Sequence, residues 1–237
     1  MSEVITPKRL KVAACCPSFD TVNFHWMERS WFPLCHLVQP DFDKLTQIVR
    51  GSTSVAQKRN QMVTRALLDK DVTHIFMVDN DVIYEGCGND INHALRFMMG
   101  LNLDICGGEM RTRGYRILEK KGFLKKELRG YPFMLYEYLP NIRMWGNLPP
   151  KLFMNRSALV NVDGIGMGFT LIKREVFEAL PKPWYLEDEW TEDFYFCKKA
   201  TDNGFKIWAV NDIRCSHINQ MKIKHSGQAV SVDTDEG

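Results

Sequence analysis

Asp79-Asn80-Asp81 sets two carboxylates one residue apart, directly after the run Thr73-His74-Ile75-Phe76-Met77-Val78. Oxygen ligands at i and i+2 suit a hard divalent cation, Mg²⁺ or Mn²⁺, held against a nucleotide diphosphate. The apolar residues Ile75 to Val78 predict a strand buried on both faces, of the kind found inside a parallel sheet. Open α/β sheets take their ligands at the carboxyl ends of such strands. A second reading needs no ligand, because Asp and Asn also make the turn that follows a strand.

The elements that must position this pair are legible on both sides of it. Leu10 to Cys16 reads as a first strand, ended by Pro17-Ser18, and a segment with Phe24, Trp26, Trp31 and Phe32 follows. Ser54-Val55-Ala56-Gln57 matches a capping box and opens a helix from Val55 to about Leu68, with Val55, Met62, Val63 and Ala66 at helical spacing. A helix is predicted from Ile91 to Met99, and a buried strand ends at Ile105-Cys106-Gly107-Gly108. From about Met110 to Asn161 regular patterning weakens into an irregular insert, rich in aromatics and prolines, of the sort that is usually functional. The run Gly164 to Ile172 is a glycine-rich approach to a strand, and Lys173 to Leu180 a short helix. Thr191 is placed as the N-cap of a helix to about Asn203, stopped by Gly204. Lys206 to Val210 is another strand, leading to Cys215-Ser216-His217. Strands alternating with helices imply an α/β domain with a largely parallel sheet.

Composition removes other classes. The chain has 237 residues, 45% hydrophobic and 25% charged, enough for one substantial core. Its net charge of +2 builds no field for sequence-independent nucleic-acid binding. The cluster Lys120-Lys121, Lys125-Lys126 and Arg129 reads as a solvated helix face or the rim of an anionic-ligand site. No stretch has transmembrane length, and Met1-Ser2-Glu3-Val4 lacks a signal pattern, so the expected setting is the cytoplasm, with peripheral membrane contact left open. Seven cysteines, none in a C-x-x-C pair, fit reduced thiols, with Cys15, Cys16, Cys106 and Cys197 in apolar surroundings.

Four segments in order carry a resemblance. They are Ser54-Val55-Ala56-Gln57-Lys58-Arg59-Asn60, the strand ending in Asp79-Asn80-Asp81, the run Val162 to Arg174, and Glu192-Asp193-Phe194-Tyr195-Phe196-Cys197 with the later Gly204-Phe205 and His217. Together they resemble the GT-A fold glycosyltransferases, in particular small family-2-like enzymes of bacteria, phages and large viruses. The resemblance covers about residues 10 to 218. It implies a single Rossmann-like GT-A domain over 1–217, with a mostly parallel central sheet flanked by helices and an acceptor-side insert at about 110–161. Residues 218–237 are expected to form a flexible tail.

The resemblance also implies roles. The donor is a nucleotide-diphosphate sugar, a UDP-sugar first and a GDP- or dTDP-sugar otherwise, and the acceptor is a hydroxyl of a glycan or glycoconjugate. A Mn²⁺ or Mg²⁺ ion neutralises the departing diphosphate. Asp81 is the first choice of direct ligand, with Asp79 reaching the ribose or the metal through water. His217 completes the metal site, His225 is its competitor, and a hydrogen-bonded loop histidine is the plain alternative. Asp193 is the expected general base and Glu192 the residue that orients the acceptor, although acids in a first helical turn also answer the helix dipole. Arg59 and Asn60 are expected near the nucleotide, where arginine pairs with phosphate or base carbonyls. Pro17, Ser18 and Asp20 would border the base, and Gly166 and Gly168 would let backbone approach substrate. Trp184, Tyr185, Trp190 and aromatics of the insert are candidates for stacking on acceptor sugars.

Two other readings are weighed. A nucleotidyltransferase would show a G-x-G-x-R-type loop after its first strand, where Cys15-Cys16-Pro17-Ser18 stands instead. A catalytically decayed binding module would be expected to lose its costly charges, yet Asp79, Asp81, Asp193 and His217 are all present.

Overall fold

Leu10–Pro17 forms strand β1, Phe42–Val49 forms β2 and His74–Val78 forms β3, and β1 pairs in parallel with both neighbours. The protein is described by a computed structural model over residues 9–18, 26–36, 39–86, 90–110, 115–120, 123–128, 135–148, 159–217, 221–223 and 229–231. β3 and most of β1 are buried on both faces because alternate side chains feed separate cores, whereas β2, at the sheet edge, is largely half-buried. Ala13, Cys15, Ile75 and Met77 point into one apolar cluster, and Val12, Ala14, Cys16, Phe76 and Val78 into the other.

Strand β4 spans Val82–Tyr84 and β5 spans Ile105–Met110. The stretch from 110 to 161 is more regular than its sequence suggests. It holds the hairpin of β6 (Tyr115–Lys120) with β7 (Phe123–Leu128), then the hairpin of β8 (Leu135–Leu139) with β9 (Met144–Asn147). Lys120, Lys125 and Lys126 therefore lie on strands and not on a helix face. Further on come β10 (Leu159–Val162), β11 (Gly164–Ile165), β12 (Phe169–Lys173) and β13 (Ile207–His217). Met221–Ile223 (β14) and Ala229–Ser231 (β15) pair with each other.

The central sheet is mixed, in the order β10-β13-β5-β12-β3-β1-β2, with β4 on the far end of β13. β12 runs antiparallel between β3 and β5, and β13 runs parallel to β5. The carboxyl ends of β1, β3, β5 and β13 thus share one edge with the amino end of β12. β13 outlasts the predicted 206–210 because it resumes pairing after an irregularity between Val210 and Arg214.

A π-helical turn, Met27–Trp31, runs into α1 (Phe32–His36), and the longer helices are α2 (Val55–Leu68), α3 (Ile91–Gly100), α4 (Arg174–Ala179) and α5 (Glu192–Asp202). Helix α2 starts where the capping pattern placed it: Ser54 is extended and its Oγ accepts from the Gln57 amide at 3.3 Å. Such a cap contributes about 1 kcal/mol. Asp90 caps α3 in the same manner. Thr191 stands at the N-cap of α5 without a side-chain bond to the helix. At the other end Gly204 takes φ +86°, while Gly204 N donates to Thr201 O and Phe205 N to Ala200 O. That paired closure is a Schellman motif and requires a residue at ease with positive φ. Among the described residues no helix is long and apolar enough to cross a membrane.

Candidate active site

The shared sheet edge gathers three of the four sequence segments around one arginine. Arg59 lies in the second turn of α2, and its side chain is only 2% exposed. Its Nη2 stands 3.2 Å from Asp79 Oδ1, 3.4 Å from Glu192 Oε1 and 3.4 Å from Asp193 Oδ1. Nη1 donates to Met167 O at 3.4 Å, and the guanidinium lies 5.9 Å from the Tyr185 ring centre. The nearest partners of Arg59 are therefore carboxylates of the protein, where phosphate or base contact was expected. Burial opposes its charge, and the attraction of Asp79, Asp193 and Glu192 outweighs that, holding its pKa above the ordinary arginine value.

Three carboxylates about one guanidinium leave the cluster short of positive charge. The strain falls on Asp193, whose carboxyl pKa rises to about 7. Burial is the main cause; Arg59 and the Met167 amide pull it down, and Glu192 and Asp79 push it up. Asp193 Oδ2 accepts from Met167 N at 3.2 Å, whereas Oδ1 is buried without a hydrogen-bond partner. A buried oxygen of that kind is costly to leave unmatched, and the cation that faces it is Arg59, with Nη2 at 3.4 Å.

The Asp79-Asn80-Asp81 turn is fixed from two sides. Asp79 N donates to Gly168 O at 3.0 Å, and Asn80 Nδ2 donates to Ser18 Oγ at 3.1 Å. Ser18 is buried and its amide donates to Val49 O, so the loop after β1 is stitched both to the turn and to β2. Pro17, also buried, ends β1. Gly168 is required by contact: a Cβ there would stand 2.8 Å from Asp79 Oδ2 and 3.1 Å from both Met110 Sδ and Val82 Cγ2. Gly166 offers its carbonyl to Thr170 Oγ1 at 2.9 Å, which shapes the bend entering β12. Helix α5 is held to the same bend through Cys197, whose Sγ lies 3.5 Å from Ile165 N.

Asn60 departs from expectation. Its Nδ2 donates to Ala56 O and Tyr185 O, at 2.9 and 2.7 Å, and its Oδ1 accepts from the amides of Trp184 and Tyr185. Two donors and two lone pairs are the whole capacity of a carboxamide, so none is left for a nucleotide. Asn60 positions the 184–185 loop instead. Trp184 and Tyr185 are themselves core residues, 2% and 1% exposed, and cannot stack on a sugar.

The metal-site candidates fall at one place in the backbone. His217 pairs with Val82 in the β13–β4 register, one residue beyond Asp81. Among the described residues no group of three His, Cys, Asp or Glu side chains is arranged to hold a metal. The donor chemistry still fits a hard cation bound with its nucleotide, since Mg²⁺ is commonly held by one or two carboxylates together with substrate phosphates. Asp20 and His225 lie outside the described residues, as does the side chain of His217.

Sequence reasoning singled out Trp190, the aromatics of the insert and Glu192 but did not bring them together around one cleft. It measures about 780 Å³ and is lined by residues of the β8–β9 hairpin and of the segment 187–194. Gly164 makes room for one of its walls: a Cβ there would stand 2.7 Å from the Trp145 ring.

No family model and no curated protein matches this sequence. Solved structures do share its fold. The crystal structure of A197 from STIV is 19% identical, covers 96% of this chain and 97% of its own, and superposes with a TM-score of 0.57. The crystal structure of GalNAc-T7 with UDP, GalNAc and Mn2+ is 13% identical with a TM-score of 0.55, over 91% of this chain and 45% of that one. GalNAc-T7 is a glycosyltransferase, and this chain spans under half of its length. The α/β architecture reached here from β1 to β13 is thus the Rossmann-like fold of the GT-A glycosyltransferases.

Proposed function

We propose that the protein is a metal-dependent glycosyltransferase that moves one sugar from a nucleotide-diphosphate donor, a UDP-sugar first, to a hydroxyl of a glycan acceptor. One observation carries the reading: the Asp79-Asn80-Asp81 turn and the Glu192-Asp193 pair meet across a single buried guanidinium, Arg59, at the carboxyl edge of the sheet. That joins a diphosphate-binding turn to a candidate base, which a turn or a helix cap alone has no reason to do. The presence of UDP and Mn2+ in the GalNAc-T7 structure supports the same theme.

Asp81, Asp79 and His217 would hold the cation. The ion supplies Lewis-acid neutralisation of the leaving diphosphate. Asn80 and Ser18 keep the loop after β1 against the turn, where a nucleotide base would lie. Asp193 takes the proton of the acceptor hydroxyl as that oxygen attacks the sugar carbon, in an inverting displacement, and Glu192 orients the acceptor. A base poised near neutral pH is the efficient choice for this step, and burial supplies that poise to Asp193. Arg59 keeps the two acidic groups in register by attraction to both.

Calorimetric titration of UDP, GDP and dTDP, with and without Mn²⁺, tests the reading on the wild type and Asp81→Ala. Binding of one nucleotide that needs both the metal and Asp81 is the expected result. Binding of none, or binding indifferent to Asp81, would remove the donor site from this edge. His217→Ala is expected to weaken the Mn²⁺ dependence; an unchanged metal titration would eliminate His217 as a ligand.

A further inference from the structure

The cleft beside Glu192 combines two chemistries, rigid aromatic walls and an excess of carboxylate over base. Trp145 stacks on Phe194 with ring centres 4.7 Å apart and planes within 14°. Trp190 stands edge-on to Trp145 at 6.1 Å and 89°, and Tyr138 meets both indoles, at 5.2 and 5.8 Å. Gly164 backs the Trp145 ring, so these rings are set before any ligand arrives. Glu187, Glu189 and Glu192 line the same space, together with Arg143. Glu189 lies 3.7 Å from Arg143 and Glu192 3.4 Å from Arg59, so three carboxylates face two guanidinium groups and acid remains in excess.

A fatty or wholly apolar occupant would strip water from those carboxylates and return no donors, which costs free energy. A phosphate or carboxylate ligand would meet like charge. A neutral sugar satisfies both halves: the C–H face of a pyranose lies on an indole, and its hydroxyls donate to carboxylate oxygens, which only accept. The volume of about 780 Å³ admits more than one ring and falls within the range of roughly 300–1,000 Å³ typical of small-ligand sites. Glu192 belongs both to this cleft and to the Arg59 cluster, so a sugar bound here lies next to Asp193.

We propose that this cleft is the acceptor subsite for an uncharged saccharide, its ring stacked on Trp190 and its hydroxyls donating to Glu187 and Glu189. The assignment deepens the glycosyltransferase reading by naming the acceptor class and rests on it for the role of Asp193.

The test is an array of neutral, sialylated and sulfated glycans, probed with the intact protein with and without UDP and Mn²⁺. Hits are then titrated by calorimetry against the wild type, Trp190→Ala, Trp190→Phe and Glu189→Lys. Neutral glycans should bind, Trp190→Ala should weaken them about tenfold or more, and Trp190→Phe should retain most of the affinity, a stacking loss of that size corresponding to ~1.4 kcal/mol. Glu189 is 65% exposed and its pair with Arg143 at 3.7 Å lies at the surface, where such pairs contribute little to stability, and Glu189→Lys should move preference toward the anionic glycans. A silent array, a preference of the wild type for anionic glycans, or equal affinity in Trp190→Ala and Trp190→Phe would each overturn the proposal. So would binding to phosphatidylcholine vesicles in place of glycans, which would assign the exposed Leu139, Ile142 and Met144 beside the cleft to a lipid surface. The two readings fail separately. Glycan binding in a protein that binds no nucleotide overturns the donor site alone, and Asp81-dependent UDP binding with a silent array overturns only the acceptor subsite.

Discussion

Asp193→Asn removes a charge that the fold holds against its own stability. The Asp193 carboxyl moves from an ordinary 3.8 to about 7 in the folded chain, chiefly through burial. A carboxyl with a raised folded pKa keeps its proton in the native state after the unfolded chain has lost it. Stability from this group is therefore greatest below pH 4 and falls as pH rises through the window from about 4 to 7. At about 1.4 kcal/mol per unit, the full loss is on the order of 4 kcal/mol, of which roughly 3 lies between pH 5 and pH 8. Asparagine has no proton to lose, and its carbonyl oxygen can still accept from Met167 N. Urea unfolding in the presence of EDTA, at pH 5 and pH 8, measures the difference directly. With a slope near ~3 kcal/mol/M, the wild-type midpoint should fall by about 1 M relative to that of the variant between the two pH values. At pH 8 the variant should be the more stable protein and be inactive in transfer. Parallel pH slopes in the two proteins would mean that Arg59 keeps Asp193 ionised throughout, and the argument for a poised base would fail.

Three further outcomes are expected. His74 is buried, and burial with nearby Lys173 lowers its pKa to about 4, so its stability contribution is present above pH 6.5 and is lost as pH falls toward 4; His74→Gln should lack about 2 kcal/mol of that acid loss, read by unfolding at pH 7 and pH 4.5. Gly168→Ala forces a methyl to within 2.8 Å of Asp79 Oδ2; overpacking should cost about 1–3 kcal/mol and weaken Mn²⁺-dependent UDP binding about tenfold or more, and wild-type affinity would show that Asp79 need not stay in place. Asn60→Ala leaves the backbone amides of Trp184 and Tyr185 unmatched and should cost about 2–4 kcal/mol. Calorimetry should find nucleotide affinity unchanged in the folded fraction, and a specific loss of affinity would restore Asn60 to the donor site.

How much of this was legible can be followed residue by residue. The strand before Asp79 was readable because four apolar residues in sequence satisfy two cores at once. The start of α2 was readable because Ser54 caps it locally. Strand direction was not: β12 needs the same apolar run whether it lies parallel or antiparallel to β3, so the mixed sheet leaves no local mark. The hairpin of β8 and β9 escaped notice because its residues are mostly half-buried or exposed, and because Leu135, Leu139 and Met144 stand on the face opposite Tyr136, Tyr138 and Trp145, so apolar residues on both faces blur a period of two. Arg59 reads as a solvent-facing helix residue, and only carboxylates 20 and more than 130 positions away explain its burial. Asn60 was misassigned for a related reason, its partners being the loop at 184–185.

The insertion of β12 between β3 and β5 also dictates a timetable for biosynthesis. When a ribosome has released the chain only as far as Met110, β1, β2 and β3 have their mutual partners, yet β3 shows a bare hydrogen-bonding edge. β5 at that stage has neither neighbour, because β12 and β13 are still unmade. Sixty more residues must emerge before Phe169–Lys173 closes the gap, and about forty after that before β13 seals the other side. Open apolar edges of this kind invite association between unfinished chains. Early folding is therefore confined to an incomplete sheet, and slow translation between β5 and β12 would lengthen the interval in which nascent chains need chaperones.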